Sequence, residues 1–284
     1  MPDKRAPSVR ARQLAAGLRR LRDEARLTGE EVGERLGWSP AKVSRIETAR
    51  TAITAADLSR LLDLYEVSGQ RRDRLTGLGR SAGERGWWDA YADTLGPEYA
   101  TLIAMEAQAE HARWYAAQIV PGLLQTEAYA REIIASTLLI SPPGEIERRV
   151  QVRMTRQRVL RHDAPLRLSA VLDEGVLLRR VGGSQVTREQ LGHLAEAATW
   201  PNVELRVLLN EAGAHPAITG EFTILGFPEL ISPDVVYLEH MTSNIYVEQE
   251  ADVYRYNLAF DRLMALALEP DESAGLIARV AEAL

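Results

Sequence analysis

The chain has 284 residues, 46% hydrophobic and 26% charged, which suits a soluble globular protein with room for two ordinary domains. With no cysteine, disulfides and thiolate metal sites are excluded. The net charge of −6 is uneven: residues 1–80 carry 17 Lys+Arg against 11 Asp+Glu (+6), and the rest 17 against 29 (−12). A basic first third on an acidic body is the asymmetry expected of a domain that meets phosphate.

Residues 1–9, with Pro2 and Pro7 and no apolar period, read as a disordered arm. This charged start lacks the apolar core of a signal peptide, and no stretch approaches the roughly 18–20 apolar residues that span a bilayer. The expectation is a cytoplasmic protein with no membrane contact. Residues 10–80 then read as five short helices. Leu14, Leu18 and Leu21 fall at helical spacing on the first. Thr28 and Glu31 have the spacing of a capping box opening the second, which Gly37 stops. Ser39 is an N-cap and Pro40 a first helical residue for the third, with Val43 and Ile46 inward. Thr54 and Asp57 open a fourth helix lined by Leu58, Leu61, Leu62 and Tyr65, and Leu75 and Leu78 mark a fifth.

Residues 81–100, with Trp87, Trp88 and Tyr91, read as an aromatic linker that docks against a neighbour. Residues 101–284 read as an α+β domain for sensing, partner binding and dimerisation. The periodicity predicts helices at 102–118, 122–138, 143–161, 186–198, 250–267 and 272–283. Strands are predicted at 166–172, 203–209, 222–227, 235–239 and, more weakly, 245–248. The expected fold is mainly α, a five-helix unit followed by helices packed with a small, largely antiparallel sheet.

The most informative stretch is TGEEVGERLGWSPAKVSRIETAR, residues 28–50. Two helices joined by a short glycine-containing turn let the second enter a DNA major groove while the first braces it. Small Gly33 permits close approach of the third helix. Leu27, Thr28, Gly37 and the run Val43-Ser44-Arg45-Ile46-Glu47 resemble the XRE (Cro/CI-type) helix-turn-helix family over about residues 10–70. The resemblance implies that Thr28, Ser39, Pro40, Ala41, Lys42, Ser44 and Arg45 form the DNA-binding face. Arg45 is the candidate to bond a guanine bidentately, and Lys42 to meet phosphate. The family often has glutamine after the helix-two threonine, whereas Gly29 stands here. By the same resemblance Arg22 and Glu47 form a structural salt bridge.

Residues 120–126 (VPGLLQT), 153–160 (RMTRQRVL), 171–174 (VLDE), 181–183 (VGG), 190–191, 201–203 and 222–224 resemble the C-terminal domain of WhiJ-like actinobacterial regulators. That resemblance implies an antitoxin-like module that binds a small partner protein encoded nearby or a small-molecule effector. Pro121, Gly122, Leu123, Leu124 and Gln125 are candidates for a partner groove or simply a helix start. Asp173 and Glu174 suit a cation or basic peptide, or a helix cap. The five histidines have no metal-ligand spacing, and there is no nucleophile elbow, phosphate loop or dinucleotide fingerprint. No catalysis, cofactor or metal is expected. Two functions lead, a transcriptional regulator, homodimeric on a palindromic operator, and an antitoxin-type module that sequesters a partner and autoregulates; an enzyme fused to a DNA-binding domain is the third alternative.

Overall fold

A computed structural model describes residues 9–81, 86–91, 93–138, 142–228 and 234–284. The chain divides into two compact units, 1–86 with 227–233, and 87–226 with 234–284. Eight of the nine residues of the expected N-terminal arm lie outside the described residues, as do positions 82–85 and 92 of the expected linker.

The first unit contains α1 (Val9–Glu24), α2 (Gly29–Leu36), α3 (Pro40–Glu47), α4 (Ala55–Leu64) and α5 (Gly69–Ser81). Local signals set its boundaries. Thr28 and Glu31 close a reciprocal capping box at the start of α2, and Gly37 ends that helix in the left-handed conformation at φ 63°. Ser39 caps α3, with Pro40 at its first position, and Thr54 caps α4. The apolar faces converge on one core of Leu14, Leu18, Val32, Val43, Ile46 and Leu62, with Leu58, Leu61 and Leu75 around it. α2 and α3 approach closely because Gly33 has no side chain. A Cβ there would lie 2.7 Å from the Trp38 carbonyl oxygen, inside contact distance.

The second unit opens with a 3₁₀ turn (Trp87–Tyr91), then α6 (Pro97–Glu106) and β1 (His111–Ala116). It continues through α7 (Glu127–Thr137), α8 (Glu145–Arg156), β2 (Arg167–Asp173), α9 (Glu174–Leu178) and α10 (Gly183–Ala197). β3 (Val203–Leu208), β4 (Phe222–Gly226), β5 (Val235–Glu239), β6 (Asn244–Val247), α11 (Glu250–Leu266) and α12 (Pro270–Glu282) complete it. The strands form one mixed six-stranded sheet in the order β3-β2-β1-β4-β5-β6. Three of its five ladders, β1–β4, β4–β5 and β5–β6, are antiparallel; β1–β2 and β2–β3 are parallel. α11 covers one face, where Val253, Phe260 and Leu263 pack on Tyr115, Val171, Phe222, Ile224 and Val236.

Two sequence expectations need correction. The helix expected over 102–118 stops at Glu106, and residues 111–116 are instead β1, the strand on which the parallel and antiparallel halves of the sheet meet. The helix expected over 122–138 starts five residues later, because Gly122–Leu124 form a 3₁₀ turn and Thr126 is the N-cap of α7. In the 81–100 segment, Trp88 and Tyr91 pack with Tyr99 around Leu95, Ile103 and Val152, while Trp87 is 36% exposed.

Candidate nucleic-acid interface

α3 is held from both ends. Beyond its last residue, Ala49 adopts a left-handed conformation (φ 53°) and the Arg50 N–H returns to the Arg45 carbonyl at 2.8 Å. Glu47 accepts two hydrogen bonds from Arg22 of α1, at 2.8 and 3.1 Å, and both side chains are largely buried. Arg22 also donates to the Leu27 carbonyl at 2.9 Å. The hydrogen bond to Glu47, opposed by burial, lifts the Arg22 pKa above its usual value. These two residues therefore fix the helix rather than face solvent.

At the other end, Trp38 is an anchor that sequence reasoning missed. Its ring lies under the Lys42 ammonium at 3.9 Å and the Arg60 guanidinium at 5.4 Å. Arg60 donates to the Leu36 carbonyl at 2.7 Å, which satisfies an orphan acceptor at the end of α2. Lys42 pairs with Asp57 of α4 at 2.9 Å. The Trp38–Lys42 spacing of four residues is a helix-face signal in the sequence, but Asp57 and Arg60 arrive only through the fold.

Ser39, Pro40, Ala41, Ser44 and Arg45 are exposed on α3 and its cap. Ser39 Oγ accepts from the Lys42 N–H at 3.2 Å. Thr28 is exposed, yet its hydroxyl is engaged with Glu31, donating at 2.9 Å and accepting from the Glu31 N–H at 3.2 Å. The hydrogen bonds from the Thr28 N–H and hydroxyl hold the Glu31 carboxyl below its ordinary pKa. Among the described residues the Arg45 side chain has no hydrogen-bond or ion-pair partner. Exposed Arg50, which the sequence reading did not single out, is likewise unpaired among them. The candidate face thus offers two available guanidiniums, with Lys42 engaged beside them.

The other candidates lie in the second unit. Pro121, Gly122, Leu123, Leu124 and Gln125 are all buried, so this segment offers no open groove. Glutamines stitch it down: Gln125 donates to the Val120 carbonyl, Gln157 to the Gly122 and Gln125 carbonyls, and Gln190 to the Leu124 carbonyl while accepting from the Thr126 N–H. Every buried carbonyl bonded this way avoids a desolvation cost of about 1–3 kcal/mol. Asp173 caps α9 through the Gly175 N–H at 3.0 Å, and Glu174 accepts from the Asn210 N–H at 2.9 Å. Nearby, Glu106 and Arg156 form a buried ion pair on two hydrogen bonds, and Arg156 also donates to Tyr99 Oη at 2.9 Å. Among the described residues no group of three His, Asp or Glu side chains is placed to hold a metal ion, and no helix is long and apolar enough to cross a membrane.

A family model described as Domain of unknown function (DUF5753) matches residues 99–279, well over half of the chain. The chain belongs to the DUF5753 family. A second model, described as Helix-turn-helix domain, matches residues 13–75 of this DUF5753 protein, the span from α1 into α5. Its N-terminal unit is a helix-turn-helix domain. No curated protein and no solved structure gives a match.

Proposed function

We propose that this DUF5753 protein is a sequence-specific transcriptional regulator of the XRE (Cro/CI) kind. It works in the cytoplasm and binds a palindromic operator as a homodimer. α3 enters the major groove with Arg45 reading a guanine edge, and Ser39, Pro40, Ala41 and Ser44 line the approach. The observation that carries this reading is Arg45 itself. It is an exposed guanidinium, unpaired among the described residues, on a helix whose inner face is locked by Glu47, Val43 and Ile46. Lys42 gives a sequence-independent phosphate contact by swinging from Asp57, and Arg50 gives a second. The Thr28 N-cap sets the start of α2 against the backbone.

Two-fold symmetry places the half-sites roughly 34–36 Å apart on one face of the duplex. The C-terminal unit, the larger of the two, dimerises and receives the signal. Genome-wide DNA capture with the purified full chain tests the reading. A recurrent inverted-repeat site that disappears with Arg45→Ala supports it; enrichment unchanged by the substitution contradicts it.

A second reading, the WhiJ-like antitoxin-type module that sequesters a small partner, draws support from α11. There Tyr254 and Leu258 are 64% and 50% exposed and one turn apart, an apolar strip a protein partner would cover. Co-purification of a stoichiometric small protein from the native host supports that role, and a chain that elutes alone at every salt concentration argues against it.

A further inference from the structure

A cavity of about 490 Å³ opens in the C-terminal unit among the start of α6, the end of α7, α8 and the β5–β6 hairpin. Its size falls within the roughly 300–1,000 Å³ of small-molecule sites. One part of its lining is cationic. Arg153 of α8 gives its hydrogen bonds to neutral acceptors, Tyr99 Oη at 3.2 Å and Gln125 Oε1 at 2.6 Å. Among the described residues no carboxylate pairs with it, whereas neighbouring Arg156 is neutralised by Glu106. One guanidinium charge is therefore left over beside the cavity.

Tyr99 reinforces that charge. Its oxygen accepts from both Arg153 and Arg156, so its own proton remains to be donated. Burial, the largest influence, pushes the phenol pKa up, but the two guanidiniums together outweigh it and hold the pKa below the ordinary tyrosine value. An acidified phenol is a stronger donor toward an anion. Arg149 also lines the cavity but is paired with Glu145 at 2.6 Å, and the further polar lining includes the Glu98 and Glu239 carboxylates, the Ser243 hydroxyl and the Asn244 amide. Among the described residues neither Glu98 nor Glu239 is in an ion pair, so both are available to accept hydrogen bonds. They disfavour an anionic group everywhere except at the Arg153 end of the cavity, and a ligand rich in hydroxyls satisfies them.

We propose that this cavity binds a small polyhydroxylated anion, a sugar acid or sugar phosphate. Arg153 and Tyr99 hold the anionic group, and Glu98, Glu239, Ser243 and Asn244 bind the hydroxyls. The inference deepens the signal-receiving role proposed above for the C-terminal unit and rests on that reading.

Titration calorimetry of the full chain with gluconate, glucose 6-phosphate, glucose and inorganic phosphate tests it. Saturable binding of gluconate or glucose 6-phosphate is expected, at least about ten-fold tighter than glucose or phosphate. Preference between the two charged sugars tells carboxylate from phosphate. Arg153→Met is expected to weaken the tighter probe at least about ten-fold. Because Arg153 also holds Gln125, Thr242→Trp, at the exposed hairpin turn, provides an independent block and is expected to remove binding without loss of fold. The proposal is overturned if no probe binds, if glucose binds as tightly as the charged sugars, or if both variants bind like the parent. DNA affinity measured with and without the bound probe separates the two layers. A probe that occupies the site without changing DNA affinity overturns the signal-receiving role and leaves the site standing.

Discussion

Arg22 and Glu47 join the last turn of α1 to the last residue of α3 through two parallel hydrogen bonds of 2.8 and 3.1 Å. The pair sets where the exposed edge of α3 points, although neither residue is on that edge. Glu47→Ala takes from a mostly buried guanidinium its buried counter-charge and leaves it only the Asp23 carboxylate, 58% exposed, at 2.8 Å. The expected cost is about 2 kcal/mol, below the ~3–5 kcal/mol of a fully buried pair because both groups keep some solvent. Urea unfolding of the full chain measures it, and the double replacement Arg22→Met with Glu47→Met is expected to recover part of the loss. An unchanged first transition for Glu47→Ala contradicts the role.

Gly33 is the second constraint on the same geometry. Gly33→Ala brings a methyl to 2.7 Å from the Trp38 carbonyl, a backbone atom that moves only if the α2–α3 turn moves. Helix propensity favours alanine by up to about 1 kcal/mol, but overpacking of this kind costs about 1–3 kcal/mol. Net destabilisation with weakened DNA binding is expected. Melting and DNA titration of the variant check both, and a variant more stable than the parent shows that the turn yields freely.

In the C-terminal unit the buried Glu106–Arg156 pair makes the sharper stability prediction. Glu106→Gln removes the counter-charge of a guanidinium that is only 3% exposed, and a loss of about 3–5 kcal/mol is expected. Chemical denaturation followed by tryptophan fluorescence reports it, since Trp114 lies 6.0 Å from that guanidinium. A loss below about 1 kcal/mol contradicts a desolvated pair.

Two histidines give the unit a pH dependence of known sign. Burial is the main reason that His111 and His193 have pKa values below 6.5, outweighing Asp234 for the first and Glu196 for the second. The His111 ring fills the space above Gly226, its partner across the β1–β4 ladder. A depressed histidine pKa means that the unfolded chain binds more protons, so stability falls as pH drops below 6.5 toward the folded value. The melting temperature is expected to be lower at pH 5.5 than at 7.5, and His193→Gln to narrow the gap. A gap that does not narrow assigns the effect to other groups.

Much of the first unit was legible because its signals are local. The Thr28–Glu31 box, Gly37, Ser39–Pro40 and Thr54 are each decided within four residues. β1 was not. The sequence runs from Leu102 to Met105 through Gln108 and Ala109 with no glycine or proline to mark the end of α6, and His-Ala-Arg-Trp-Tyr-Ala lacks a clear polar alternation because both faces of this strand are covered. Its stability comes from β2 and β4 on either side, separated from it by about 50 and 110 residues. The same holds for the candidate sites. Arg45 stood out by its place in a motif. The engagement of Lys42 by Trp38 and Asp57, the burial of Pro121–Gln125 under glutamine side chains, and the pairing of Arg153 with neutral acceptors depend on partners that spacing does not reveal.

The most direct test of the central claim compares Arg45→Ala and Lys42→Ala on the operator recovered by DNA capture, with a set of single-base-pair variants and a salt series. Arg45→Ala is expected to cost about 1–3 kcal/mol and to erase preference at one base pair in each half-site. Lys42→Ala is expected to weaken all sequences alike and to lower the salt slope by about one. Equal losses on every sequence for both substitutions contradict base reading by Arg45 and reduce α3 to a phosphate-binding element.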